Sequence, residues 1–216
     1  MPRENLAALK IRAGKIVRLL RKKYPDAHCA LDHKSVHQLM VATILSAQCT
    51  DERVNLVTPA LFSRYPEVSD YANADSAELE RLIYTTGFFR AKAKSLKNSA
   101  QALMDNYGGQ IPRTLDELVK LPGVGRKTAS VILGVGHGLA EGIVVDTHVT
   151  RISRLLGFTR QTDPVRIEQD LMKIIPHKDW IDYSHLLIWH GRSICKARRP
   201  DCPSCPVNKL CPSAKL

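Results

Sequence analysis

The chain has 216 residues, enough for one or two domains with real cores, and its 44% apolar and 25% charged residues are ordinary for a soluble globular protein. No run reaches membrane-spanning length and no charged-then-apolar leader opens the chain, so a cytoplasmic protein (nucleoid-associated in a bacterium) with no membrane partner is expected. A formal net charge of +11 favours a polyanionic partner, and only 6% aromatics argue against broad stacking platforms for single strands.

Helical periodicity dominates. From Asn5 to Tyr24, Leu6, Leu9, Ala13, Ile16, Val17 and Leu20 recur at three- and four-residue spacing. Lys10, Arg12, Lys15, Arg18, Arg21, Lys22 and Lys23 fill the gaps and read as a solvated face. His33 to Gln48 is apolar on nearly every side, the pattern of a helix buried all round. Asp51 is expected to cap the next helix, which stops near Tyr65 before Pro66. Asp75 with Glu78 opens a helix reaching Thr86, where Gly87 breaks it. A basic helix with Lys92, Lys94 and Lys97 then runs to Gly108. Thr114 with Glu117 opens a short helix, and Asp146 or Thr147 begins one that reaches Leu156. Asp163-Pro164 is an N-cap with proline at the first helical position. The last helix runs from Asp179 to Ile194. The one β-branched run, Ile143-Val144-Val145, is too short to imply a sheet, so the expected fold class is all-α.

Between the short helix and its successor lies Leu121-Pro122-Gly123-Val124-Gly125-Arg126-Lys127-Thr128-Ala129. Pro122 ends the first helix, and Gly123 and Gly125 permit positive φ and close approach of another molecule. The amides that open the second helix lack intrahelical partners and can bind an anion such as a DNA phosphate. Lys127 reads either as a phosphate neutraliser, like Arg126, or as an amine nucleophile. Nineteen positions later Asp146 ends an apolar run, where it is an N-cap, a catalytic carboxylate, or both.

Six cysteines are present. Cys29 and Cys49 stand alone, whereas Cys195-x6-Cys202-x2-Cys205-x5-Cys211 crowds four thiols into 17 residues. In a chain with no export signal this clustering favours a metal centre over a disulfide framework. Zinc and a [4Fe–4S] cluster both accept four cysteines.

The hairpin segment closely resembles the helix-hairpin-helix of the endonuclease III family of DNA glycosylases. Val145-Asp146-Thr147-His148 resembles that family's catalytic-acid segment, and the cysteine spacing matches its cluster loop. The three motifs stand in the family's order across nearly the whole chain. The resemblance implies two helical domains flanking a DNA-binding cleft. Residues 29–141 would form a six-helix bundle containing the hairpin, and residues 1–28 with 142–216 an iron–sulfur cluster domain. It implies Lys127 and Asp146 as catalytic residues, Gly123, Gly125 and Arg126 on DNA phosphate, and Cys195, Cys202, Cys205 and Cys211 on a [4Fe–4S] cluster.

Two further positions follow from the same resemblance. Gln48 would insert into the base stack, its alternative being a helix C-terminal residue that bonds the backbone, and Phe88 would wedge from the other side, where the family often carries leucine. A core aromatic covering the helix junction is the alternative for Phe88. The expected protein is a monomeric glycosylase and apurinic/apyrimidinic lyase, acting on duplex DNA with damaged bases or abasic sites and removing oxidised pyrimidines. The alternatives are a related glycosylase for UV dimers or mismatched thymine, a non-catalytic DNA-binding module, and an iron–sulfur electron carrier.

Overall fold

A computed structural model describes residues 4–215. Helices follow one another with no strand among the described residues, and none is long and apolar enough to cross a membrane. The chain separates into two compact units: Cys29–Glu141, the hairpin unit, and the remainder up to His28 and from Gly142 onward, the cysteine unit.

In the cysteine unit, helix α1 (Leu6–Lys23) is capped by Asn5, whose side chain accepts from the Ala8 amide, and buries Ala13, Ile16, Val17 and Leu20. In the hairpin unit, α2 (Val36–Leu45) is buried without interruption from Leu39 to Leu45, as its all-round apolar pattern requires. Each such leucine or isoleucine contributes about 1.5–3 kcal/mol of burial. Helix α3 (Asp51–Arg64) starts one residue earlier than its sequence signal implies. Thr50 is the cap, its hydroxyl accepting from the Arg53 amide at 3.2 Å, and Asp51 is the first helical residue.

A short helix that periodicity does not reveal, α4 (Val68–Ala72), is opened by a reciprocal box between Glu67 and Asp70 and packs on α6. Helix α5 (Ser76–Ile83) is capped by Asp75, which accepts from the Glu78 amide at 2.8 Å. The Glu78 carboxylate takes Arg64 at 2.8 Å and the Tyr65 hydroxyl at 2.9 Å. A 3₁₀ turn, Tyr84–Thr86, leads through Gly87 to α6 (Phe89–Tyr107), then α7 (Leu115–Leu118) and α8 (Arg126–Val131), which continues as a π-helical turn Ile132–Gly136. Leu118, Leu121, Val124, Ala129 and Leu133 join the core formed by α2, α3, α5 and α6.

The cysteine unit resumes with α9 (Thr147–Leu155), α10 (Pro164–Met172) and α11 (Trp180–Ser193), which pack with α1 around Ile16, Leu20, Val149, Ile152, Leu171, Tyr183 and Leu187. The basic face of α1 is not wholly solvated. The Arg12 guanidinium donates to the carbonyls of Leu156 at 2.8 Å and Leu210 at 3.0 Å and pairs with Glu4 at 2.8 Å. Arg21 pairs with Asp179 at 2.8 Å and Asp182 at 2.9 Å. A long arginine stem can lie on the core edge while its fork reaches acceptors, which periodicity cannot foresee.

Candidate functional site

The hairpin is built from a capped helix, a glycine turn and an uncapped helix start. Thr114 accepts from the Glu117 amide and donates to its carboxylate at 2.6 Å. The turn closes through Leu121 N–H to the Leu118 carbonyl at 3.1 Å and Val124 N–H to the Leu121 carbonyl at 3.0 Å. Leu121 and Val124 are buried and root the turn, while Pro122, Gly123, Gly125, Arg126 and Lys127 are exposed.

Gly123 has φ +79°, and a Cβ there would lie 2.5 Å from the Ser95 Cβ, so only glycine fits on both counts. The Ser99 hydroxyl donates to the Pro122 carbonyl, which seats the turn on α6. Gly125 corrects the sequence reading. Its backbone is extended (φ −84°, ψ 172°), it forms the N-cap of α8, and an added Cβ would meet open space. Positive φ therefore does not explain this glycine. A bare N-cap that leaves the first amides of α8 uncovered by a side chain does. Lys127 stands exposed on the first turn of α8.

Two loops of the same unit carry the inserting candidates. Gln48 (φ 53°) follows the end of α2, and Phe88 (φ 48°, ψ 29°) precedes α6. Among the described residues they are the only non-glycine residues with positive φ. That conformation costs about 1–2 kcal/mol per residue, and such strain concentrates at functional positions. Both side chains are exposed, Phe88 by 67%. Phe88 is thus not the aromatic that covers the helix junction. Its neighbour Phe89 takes that role, half-buried with its ring 4.9 Å from Tyr84. In the sequence Lys92 is one more charge of a basic helix, yet it is 5% exposed, inside the unit.

In the cysteine unit, Asp146 is the N-cap of α9, accepting from the Val149 amide at 2.7 Å. The cap holds the half-buried carboxylate in one direction at the helix start. The segment before it is anchored by buried Ile143 and by the Ser184 hydroxyl, which donates to the Val144 carbonyl at 2.8 Å. His148 packs against Gly191, where a Cβ would sit 2.4 Å from its Nδ1. Burial lowers the His148 pKa from the ordinary imidazole value, with Asp146 opposing the shift. Lys127 belongs to the hairpin unit and Asp146 to the cysteine unit.

None of the four clustered cysteines is in a disulfide, and all four line one cavity of about 270 Å³, walled by Ile152, Leu155, Leu156, Ile194 and Val207. Arg151 donates to the Cys195 carbonyl at 2.7 Å and approaches its sulfur at 3.7 Å. His190 Nε2 lies 3.5 Å from the Cys205 sulfur. Burial raises the Cys205 and Cys211 pKa values, and the neighbouring cysteines add to the effect. Among the described residues no three His, Cys, Asp or Glu side chains converge closely enough to hold a single ion. The donor set is four soft thiols spread around a roomy apolar cavity.

The hairpin and its flanking helices fall within a known class of DNA-repair protein. Residues 41–177 match the model of the HhH-GPD superfamily base excision DNA repair proteins. The chain is 52% identical to endonuclease III of Synechocystis sp., covering 98% of this chain and 96% of that one. It is 46% identical to endonuclease III of Bacillus subtilis, covering 87% and 86%. A solved structure of a trapped endonuclease III–DNA covalent intermediate, an estranged-adenine complex, superposes with a TM-score of 0.88 at 45% identity, covering 95% of this chain and 96% of that one. The chain belongs to the endonuclease III family, and is a base excision repair enzyme of the DNA glycosylase/AP lyase type.

Proposed function

We propose that this enzyme excises oxidised pyrimidines from duplex DNA with Lys127 as nucleophile and then cleaves the strand 3′ of the site. The observation that carries the reading is the exposed amine of Lys127 on the first turn of the helix that the glycine hairpin opens. Hairpin amides and Arg126 grip phosphate near the lesion, and that grip sets the Lys127 amine at the sugar. The neutral amine attacks C1′, and the C1′–N bond breaks with its electron pair leaving on the base. Ring opening gives an imine between Lys127 and C1′. Loss of a C2′ proton then expels the 3′ phosphate by β-elimination. Asp146 stabilises the positive charge developing on the sugar and exchanges protons with the amine or a water. The covalent intermediate trapped for the related endonuclease III supports this chemistry.

A base inside a duplex is out of reach of Lys127, so the nucleotide must leave the stack. Gln48 and Phe88, exposed on strained turns, fill the gap from two sides. Cys195, Cys202, Cys205 and Cys211, which line one largely apolar cavity, would hold a [4Fe–4S] cluster. When bound, the cluster cross-links the cysteine loop to the end of α11 and has no part in the bond-breaking steps. The enzyme works as a monomer in the cytoplasm.

Borohydride reduction in the presence of abasic duplex DNA should cross-link the wild-type protein and not Lys127→Ala. A folded, DNA-binding wild-type protein that gives no adduct would sink the lyase reading. A panel of duplexes, each carrying one oxidised pyrimidine, a UV dimer or a mismatched thymine, identifies the substrate. Preference for either of the last two would refute the assignment to oxidised pyrimidines.

A further inference from the structure

Lys92 is buried at 5% exposure with its charged end inside the hairpin unit. A buried ammonium is costly unless its protons are taken up. Here the acceptors are two main-chain carbonyls, Leu45 at 2.7 Å and Thr86 at 2.8 Å. Leu45 is the last residue of α2, three positions before Gln48, and Thr86 ends the 3₁₀ turn two positions before Phe88. One ammonium thus joins the roots of the two loops that carry the only non-glycine positive-φ residues among those described.

Lys92 also shares a face of α6 with Ser95, which backs Gly123, and Ser99, which bonds Pro122. The same helix stripe therefore references the two strained loops and the hairpin to one another. Desolvation lowers the Lys92 pKa, the cost of placing a charge where an apolar residue would pack without penalty. For capping two helix ends alone, water or a hydroxyl would serve.

We infer that Lys92 is a positioning residue that sets the spacing and direction of the Gln48 and Phe88 turns, so that both side chains enter the base stack together. The inference rests on the insertion reading of those two residues. Its test is a mutant cycle read by single-turnover excision from a lesion-bearing duplex, with 2-aminopurine fluorescence beside the lesion reporting unstacking. Lys92→Met should slow excision about 30-fold, with the 2-aminopurine rise lost, while trapping at a preformed abasic site changes by less than about threefold. In a Gln48→Ala/Phe88→Ala background, adding Lys92→Met should slow excision by less than about twofold further, because the residues it positions are gone.

Lys92→Arg keeps the charge but carries a planar fork of different reach, and should fold, slow excision by about fivefold and be masked in the same way. That variant carries the test if Lys92→Met does not fold. Excision at the wild-type rate by either folded variant, or a full Lys92 effect persisting in the double-alanine background, would overturn the positioning role. A Gln48→Ala/Phe88→Ala enzyme that excises normally overturns the insertion reading and this inference with it. That failure is recognised because Lys92 is untouched.

Discussion

The Asp146 carboxylate caps α9, and the proposed mechanism gives it a second role at the sugar; the two can be separated at the bench. Its Oδ1 accepts the Val149 amide at 2.7 Å, which fixes the start of α9. An asparagine caps as well as an aspartate, so Asp146→Asn keeps the hydrogen bond and removes only the charge. Excision by Asp146→Asn should fall by about 100-fold, the scale of a lost acid–base or charge-stabilising group, with the thermal midpoint nearly unmoved. Asp146→Ala should show the same loss of activity and an added destabilisation of about 1 kcal/mol. Normal excision by Asp146→Asn would leave the cap as the residue's whole role. Gln48 and Phe88 illustrate the other kind of residue-scale information. Their side chains resembled family positions, but the left-handed backbone that aims them is a property of the folded turns. Nothing in glutamine or phenylalanine foretells positive φ, since both residues disfavour it.

Among the elements, those with a local cause were legible in the sequence. Thr and Asp caps, the proline at the start of α10 and the three-to-four spacing placed most helices within a residue or two, whereas α2, read as His33 to Gln48, is three residues shorter at each end. The misses have specific physical origins. Helix α4 spans only Val68–Ala72, too short for periodicity, and its Glu67–Asp70 box uses two acids in place of the usual hydroxyl and glutamate. Lys92 was hidden because its partners are carbonyls from α2 and the 3₁₀ turn, 47 and 6 positions away, and a carbonyl acceptor has no sequence signature. The cysteine loop was readable by spacing, whereas its cavity was not. The proposed cluster on these four thiols predicts a coloured protein, with broad visible absorbance and about four irons per chain. Oxidative chelation should bleach it and lower the melting temperature, because a bound centre stabilises the folded form that holds it. Colourless protein carrying one zinc per chain would overturn the cluster.

Across the whole molecule, the charge of +11 reports on the partner more than on the fold. Some of that charge is committed internally: Arg12 and Lys92 bond carbonyls, and Arg21 and Arg64 pair with acids. A net charge counted from composition therefore overstates the cations available to phosphate, and only the structure separates the two groups. Arg126 at the hairpin, which also has a contact of its own within the protein, and Lys196, Arg198, Arg199 and Lys209 along the cysteine loop are exposed on the surfaces of their own units. If those five and one or two neighbours neutralise phosphates, log K for undamaged duplex should fall linearly with log salt at a slope of about −5 to −6. Fluorescence anisotropy on a short labelled duplex between low and physiological salt measures it. Removing one loop cation, as in Lys209→Ala, should flatten the slope by about one and weaken all sequences alike, since phosphate contacts carry no base information. A slope unchanged by Lys209→Ala would take the cysteine loop out of the DNA contact surface and leave phosphate binding to the hairpin unit alone.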